Sequence, residues 1–116
     1  MVTFSATPAQ ILEGAVVSSA QCVVTCGETG EPLREGAEVL VKAEHHIHSD
    51  AWSWRGVYAT NAGGPVDIHP AEEWDRVLAT GRLAVASDQA TQTARLVLHD
   101  VEVVKSFHAE RREADA

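Results

Sequence analysis

The hydrophobic and polar positions of the chain alternate most clearly in its middle third. From Glu38 to about His48 the apolar residues recur at every second position, which is typical of a half-buried strand. The segment from Ala51 to Ala59 is rich in aromatic and β-branched residues, and Ser49-Asp50 between the two segments favours a turn. The pattern predicts a β-hairpin whose first strand has Val39, Val41, Ala43, His45 and Ile47 on one face and Leu40, Lys42, Glu44, His46 and His48 on the other.

The apolar residues that follow the hairpin have a helical period instead. Trp74, Val77 and Leu78 form a stripe at helical spacing, and Pro70 precedes them at a position that suits the first turn of a helix. Two glutamates lie where the positive end of a helix dipole would be, and Gly81 supplies a stop. These residues predict a central helix from Pro70 to Gly81.

The remaining segments are predicted as helix or strand from their end signals and their composition. Thr7 as N-cap and Pro8 as first helical residue predict a short helix to about Glu13, and at most to Ser19. Three later segments have the composition of strands, at residues 83–87, 93–99 and 101–107. The charged, aperiodic tail 108–116 is expected to be disordered. The chain is therefore predicted to be a single α+β domain over residues 1–107, with a hairpin, a central helix and further antiparallel strands.

The net charge and composition of the chain restrict the partners it can bind and indicate the compartment in which it works. Seventeen acidic and nine basic residues give a net charge of −8, which opposes binding to nucleic acid phosphates. An acidic composition with only two lysines is typical of a high-salt cytoplasm, although a GC-rich genome also favours alanine, valine and arginine. No apolar run approaches the ~20 residues of a membrane-spanning helix, and no basic secretory leader opens the sequence. We expect a cytoplasmic protein with no membrane partner.

Two cysteines and a group of histidines are the candidate metal ligands. Cys22 and Cys26, followed by Gly27, resemble one knuckle of a zinc site, in which a glycine permits a tight turn after two thiolates. A structural zinc needs four ligands, so this knuckle is half a site. His46 and His48 lie two residues apart on the predicted strand, and their rings would therefore project to one face. The sequence predicts that any zinc site consists of these two cysteines with two histidines, which are His46 and His48 or others among His45, His69 and His108.

The motifs together resemble a family of small haloarchaeal proteins of unknown function. The resemblance runs from about Cys22 to Val104, and the motifs that carry it are Cys22-Val-Val-Thr-Cys26-Gly27, Pro32-Leu-Arg-Glu-Gly36, Val57-Tyr58, Arg82-Leu-Ala-Val-Ala-Ser-Asp88 and Ala94-Arg-Leu-Val-Leu98. It implies a treble-clef or zinc-ribbon-like fold with a Cys-x-x-Cys-Gly knuckle and a second cysteine pair. Here the first knuckle has one extra residue, and Ala59 and Ala62 stand where the second pair would fall. The resemblance thus implies a degenerate zinc site and excludes a four-cysteine one.

The simpler interpretation, which we favour, is that the cysteines are small buried apolar residues and that the histidines lie at a solvated hairpin end. The stripe formed by Trp52, Trp54 and Tyr58 is expected to be core rather than a ligand platform. A redox role for the cysteines lacks the Cys-x-x-Cys spacing, and no catalytic motif is present, so we expect no enzyme and no cofactor. The leading hypothesis is a structural or protein-interaction module that forms a homo-oligomer or binds a protein partner, because its apolar later strands have edges that need pairing. The alternative is a zinc-binding protein.

Overall fold

The described residues form seven strands and one short helix. The computed structural model describes residues 7–18, 22–60, 66–88, 90 and 93–109. The elements are α1 (Pro8–Leu12), β1 (Val16–Ser18), β2 (Val23–Thr25), β3 (Pro32–Arg34), β4 (Glu38–His46), β5 (Ser53–Ala59), β6 (Trp74–Asp88) and β7 (Thr93–Phe107). The prediction of the N-terminal helix is confirmed, because Thr7 accepts from the backbone N–H of Gln10 and the Gln10 side chain accepts from that of Thr7 in a capping box. No helix in the described part of the chain is long and apolar enough to cross a membrane.

Five strands form one curled antiparallel sheet in the order β1-β7-β6-β4-β5, and β2 and β3 form a separate two-stranded ribbon. The sheet makes a half-barrel, and its inner face holds the core. Side chains at most 1% exposed line that face on three strands, namely Val39, Val41, Val77, Ala79, Leu83, Leu96 and Leu98. The helix α1 adds Leu12, and the ribbon adds Leu33 and Cys26.

The predicted α+β class with a central helix is wrong, and so is the treble-clef-like fold. The residues from Trp74 onward form β6, which pairs with β4 on one side and β7 on the other. Val77 points to the inner face and Leu78 to the outer face, and both are nearly fully buried. A strand that is covered on both faces has apolar residues at adjacent positions. Its sequence therefore resembles the apolar stripe of a helix, which is why a helix was predicted here.

A tight turn stands where the predicted helix would begin. Glu73 has a φ of +65°, and the backbone N–H of Trp74 donates to the carbonyl of Ala71. A positive φ is incompatible with a right-handed helix. Gly81, expected to be a helix stop, lies in the middle of β6 opposite Val39.

The predicted hairpin is confirmed as β4 and β5, with one irregularity that changes its faces. Ala43 pairs with Trp54 and Lys42 pairs with Gly56, so Arg55 is an extra residue on β5. Such a bulge reverses the alternation of side chains along a strand. Trp54 therefore packs against the core, whereas Tyr58 lies on the outer face with Gly56 and Lys42. The two aromatic residues do not share a face as the sequence analysis expected.

Trp54 also joins the two edge strands of the half-barrel. Its indole Nε1–H donates to the carbonyl oxygen of Val16 in β1 at 2.8 Å. The ribbon covers the edge of β5 nearby, because the N–H of Gly27 donates to the carbonyl of Val57 at 3.0 Å. The edge of β5 near its carboxyl end is thus covered rather than open.

Candidate functional site

The two cysteines lie on opposite ends of β2 and in different environments. Cys22 is exposed, whereas Cys26 is 2% exposed. The three extended residues between them separate their Cα atoms by up to ~13 Å, since a strand rises about 3.3 Å per residue. The strand does not form the tight knuckle in which both thiolates face one ion.

The sulfur of Cys26 accepts hydrogen bonds from two backbone N–H groups. The donors are Ala59, at 3.3 Å, and Thr29, at 3.5 Å. Burial raises the pKa of the Cys26 thiol, but the hydrogen bonds from Thr29 and Ala59 outweigh it and lower the pKa from 9.0 to about 7. This cysteine therefore fixes the ribbon to the edge of β5 through a sulfur that is stabilised as the thiolate.

A pH dependence of stability follows from the lowered pKa of Cys26. The thiolate is favoured in the folded state, so its contribution increases as the pH rises from about 7 to 9 and is lost as the pH falls through about 7. We expect the difference in the free energy of unfolding between the native chain and Cys26→Ala to increase over that interval. Urea unfolding at several pH values measures it.

The control for this prediction is Cys22→Ser, which removes the exposed thiol and leaves Cys26 in place. Its stability relative to the native chain should be independent of pH. A constant difference for Cys26→Ala across the same interval would show that folding does not lower the pKa of Cys26.

The predicted histidine ligands lie close to each other but far from the cysteines. The rings of His46 and His48 are 5.3 Å apart, and His46 packs edge-on against Trp74 at 4.8 Å. Cys26 touches Ala59, which pairs with Val39, and His46 lies seven residues further along β4, a distance of ~23 Å. Among the described residues no group of three or more His, Cys, Asp or Glu side chains is arranged to hold a metal ion. The structure therefore does not bring the four predicted ligands together.

The ring of His46 is also engaged locally. The backbone N–H of His48 donates to its Nδ1 at 3.1 Å, and its Nε2 lies 3.8 Å from a carboxylate oxygen of Glu73. Both ring nitrogens thus have polar neighbours within the hairpin end. Glu73 lies in the turn that precedes β6, so this contact joins that turn to the end of β4.

His45, one of the alternative metal ligands, belongs to a hydrogen-bonding network that the sequence did not predict. Its Nδ1 lies 3.1 Å from Oδ2 of Asp75, and its Nε2 lies 2.6 Å from the carbonyl oxygen of Ser49. The ring stacks on Trp52 at 5.2 Å, and the other oxygen of Asp75 accepts from the N–H of Ala109 at 2.7 Å. These contacts close one end of the half-barrel. The sequence signal for this network was His45 itself, a polar residue on the otherwise apolar face of the alternating strand.

Much of the outer edge of β7 has no paired strand among the described residues. The short strand β1 pairs with it only near Leu96 and Val97, and the Glu13 carboxylate accepts from the N–H groups of Asp100 and Val101. Beyond those residues no described strand pairs with this edge. Val104 lies there, with 59% of its surface exposed.

Two bulges in β7 change the face of the sheet to which its side chains point along this edge. Thr80 pairs with Glu102, Ala79 with Val103 and Leu78 with Lys105, so Val104 is an extra residue. A second extra residue lies between His99 and Glu102, where Asp100 has a φ of +56°. Because of the bulge at Val104, Glu102 and Lys105 project to the same outer face although they are three positions apart.

Comparisons with known proteins give one match. The model of a family described as a domain of unknown function (DUF8112) matches residues 2–109. No curated protein and no solved structure matches. Ala62, one of the two positions assigned to the second cysteine pair, and residues 110–116 of the predicted tail lie outside the described residues.

Proposed function

The chain belongs to the DUF8112 family of domains of unknown function, and within that family we propose that it is a non-catalytic interaction module that pairs with a second copy of itself. The surface is the outer edge of β7 from Glu102 to Ser106. The observation that carries the proposal is the charge pattern of this edge, which is complementary to itself. The exposed Val104 lies at its centre.

Antiparallel pairing of two β7 edges has one register that satisfies this pattern. With the two-fold axis between Val103 and Val104, Glu102 of each copy lies opposite Lys105 of the other, and Val103 lies opposite Val104. Glu102 and Lys105 share the outer face because of the bulge, so the opposite charges meet on one side of the joined sheet. Each copy contributes the same patch, as a two-fold interface requires.

The availability of the edge supports the same conclusion. Ribbon contacts cover β5 near Val57 and Ala59, whereas no described strand covers β7 beyond Leu98. Exposed edges with apolar side chains are templates for pairing with another chain. The length of the paired segment is short, so we expect a concentration-dependent dimer rather than an obligate one.

Reversal of one charge should weaken the dimer, and a mixture of two variants should restore it. Lys105→Glu places glutamates opposite one another at both sites, and Glu102→Lys places lysines there. Each variant alone should dimerise about tenfold more weakly, while an equimolar mixture should form heterodimers with all pairs complementary. Sedimentation velocity at low ionic strength, where screening is weak, measures these dissociation constants.

The mixture separates association from local damage, because Lys105→Glu also removes the ion pair between Lys105 and Asp67. The double variant Glu102→Lys with Lys105→Glu lacks that pair as well, and it should dimerise like the native chain. If the native chain stays monomeric over the whole concentration range, or if the mixture stays as monomeric as its components, the proposed pairing is wrong.

Zinc binding through Cys22 and Cys26 with the hairpin histidines is the alternative function. No observation of the described residues favours it over self-association, since Cys26 and His46 lie at opposite ends of β4. The domain is proposed to act without a resident metal.

A further inference from the structure

A polar cleft lies on the outer face of the sheet. Its floor is formed by β4, β5 and β6, and one wall is a crossing segment, residues 66–70, that joins the hairpin to β6. Its volume is about 340 Å³, which lies within the range of small-molecule sites. Three contacts hold the crossing segment: Ile68 is 5% exposed, Lys105 Nζ lies 3.1 Å from Asp67 Oδ1, and Arg76 Nη1 donates to the carbonyl of His69 at 3.2 Å.

A buried carboxylate organises two guanidinium groups in the cleft. Glu44 is 7% exposed, and its two oxygens lie 3.4 Å from Nε of Arg55 and 3.4 Å from Nε of Arg76. Arg76 Nε is fully buried and makes no hydrogen bond of good geometry in the described structure. One carboxylate thus holds two cations, and a positive charge is left over.

Lys42 and Tyr58 add two donors that have no acceptor among the described residues. The ammonium of Lys42 lies over the ring of Tyr58 at 5.6 Å from its centroid, a cation–π contact, and it forms no ion pair with a described carboxylate. The hydroxyl of Tyr58 has no hydrogen-bond partner among the described residues either. Gly56 makes room for the ring, because a Cβ there would overlap the phenol.

The charge of this region is opposite to that of the whole chain. Lys42, Arg55, Arg76 and Lys105 supply four positive charges, and Glu44 and Asp67 supply two negative ones, which gives a local charge of +2. The chain as a whole carries −8. Both of its lysines lie in or beside this cleft, so the positive potential is concentrated where a ligand would enter.

We propose that this cleft binds a small molecule through a carboxylate or phosphate group, with Lys42 and Arg55 as charged partners and the Tyr58 hydroxyl as a third donor. Charge-assisted hydrogen bonds from an ammonium and a guanidinium suit either anion. Glu44 is a positioning residue that fixes the two arginines. Lys105, which holds Asp67 beside the cleft, also belongs to the proposed pairing edge, but the three ligand donors do not, so either proposal can fail without the other.

Titrations with inorganic phosphate and with acetate test the site, at constant ionic strength maintained with chloride. Two-dimensional ¹H–¹⁵N NMR should show saturable shifts of the amides around Lys42, Arg55 and Tyr58. Saturation by phosphate alone assigns a phosphate group to the ligand, and saturation by acetate alone assigns a carboxylate. Either result supports the proposal, and the absence of saturable shifts with both anions overturns it.

Three variants assign the binding to the named donors. Lys42→Gln should weaken binding about tenfold, and Tyr58→Phe, which keeps the ring, about threefold. The matched control is Arg34→Gln, which removes the same charge from the exposed end of β3 and should leave the affinity unchanged within about twofold. Equal weakening by Lys42→Gln and Arg34→Gln would show a general charge effect and would overturn the assignment.

Discussion

Trp54→Ala is expected to destabilise the domain by about 3 kcal/mol. The side chain packs against the inner core, and truncation of a core tryptophan costs about 3–5 kcal/mol when burial is complete. The lost hydrogen bond to the carbonyl of Val16 adds to the cost, because that bond joins β5 to β1. Urea unfolding followed by far-ultraviolet circular dichroism measures the effect without relying on the fluorescence of the removed indole.

Trp54→Phe is the matched variant for the hydrogen bond. It keeps most of the apolar contact and removes the N–H donor, so it should cost about 1 kcal/mol. Trp74→Ala is a control on the outer face, where the ring contacts His46 and closes no edge. A cost for Trp54→Ala below about 1 kcal/mol would contradict the closure of the half-barrel by this residue.

Leu98→Ala and Gly81→Ala should each destabilise the domain, and each should offset part of the other. Leu98 is fully buried, and its truncation is expected to cost about 2–5 kcal/mol. A Cβ at Gly81 would lie 2.6 Å from Cδ1 and 2.8 Å from Cγ of Leu98, so the single glycine variant overpacks the core at a cost of about 1–3 kcal/mol. In the double variant the new methyl group occupies the space that the leucine vacates.

A double-mutant cycle from chemical unfolding measures this coupling. We expect the double variant to be more stable than the sum of the two effects predicts, by about 1 kcal/mol. Gly36→Ala is a contrasting control, because its φ of +91° strains any side chain while no atom lies near the new Cβ. Additive effects of Gly81→Ala and Leu98→Ala would contradict the close contact of β6 and β7 at this position.

Local signals in the sequence were sufficient for the N-terminal helix and the hairpin. The Thr7 and Pro8 pair specifies a helix start through a capping box and a fixed φ, and both are properties of adjacent residues. The alternation from Val39 to Ala43 specifies the inner face of β4, and those residues are buried. Neither feature depends on distant parts of the chain.

The central helix was wrong because its signal depends on what covers the element. Val77 and Leu78 are both buried, on opposite faces of β6, and only the completed sheet with its crossing segment covers both faces. The bulges at Arg55 and Val104 were equally inaccessible, since neither position carries a glycine that would mark it. Each bulge changes the face of a side chain that a proposal above uses, Tyr58 in the cleft and Lys105 on β7.

The candidate metal site could be predicted only in part. The rings of His46 and His48 do lie 5.3 Å apart, but β4 ends at His46 and His48 lies in the turn that follows, so the two rings meet for another reason than the predicted strand alternation. Their separation from Cys26 depends on the direction in which β5 returns past β4, which brings Ala59 rather than His46 to the sulfur. The proposed donors of the cleft, Lys42 on β4 and Arg55 and Tyr58 on β5, come from the same two paired strands. The register of the hairpin therefore also determines which side chains meet in the cleft.

Hydrogen exchange of β7 as a function of protein concentration tests the proposed self-association most directly. Pairing covers the outer-edge amides between Glu102 and Ser106, so a peptide that spans them should exchange more slowly as the concentration rises, while one that spans β4 should not change. The Lys105→Glu variant should lose this dependence at the same concentrations. A native dimer whose β7 exchange is independent of concentration, or a β7 that exchanges identically in the native chain and in Lys105→Glu, would contradict pairing along this edge.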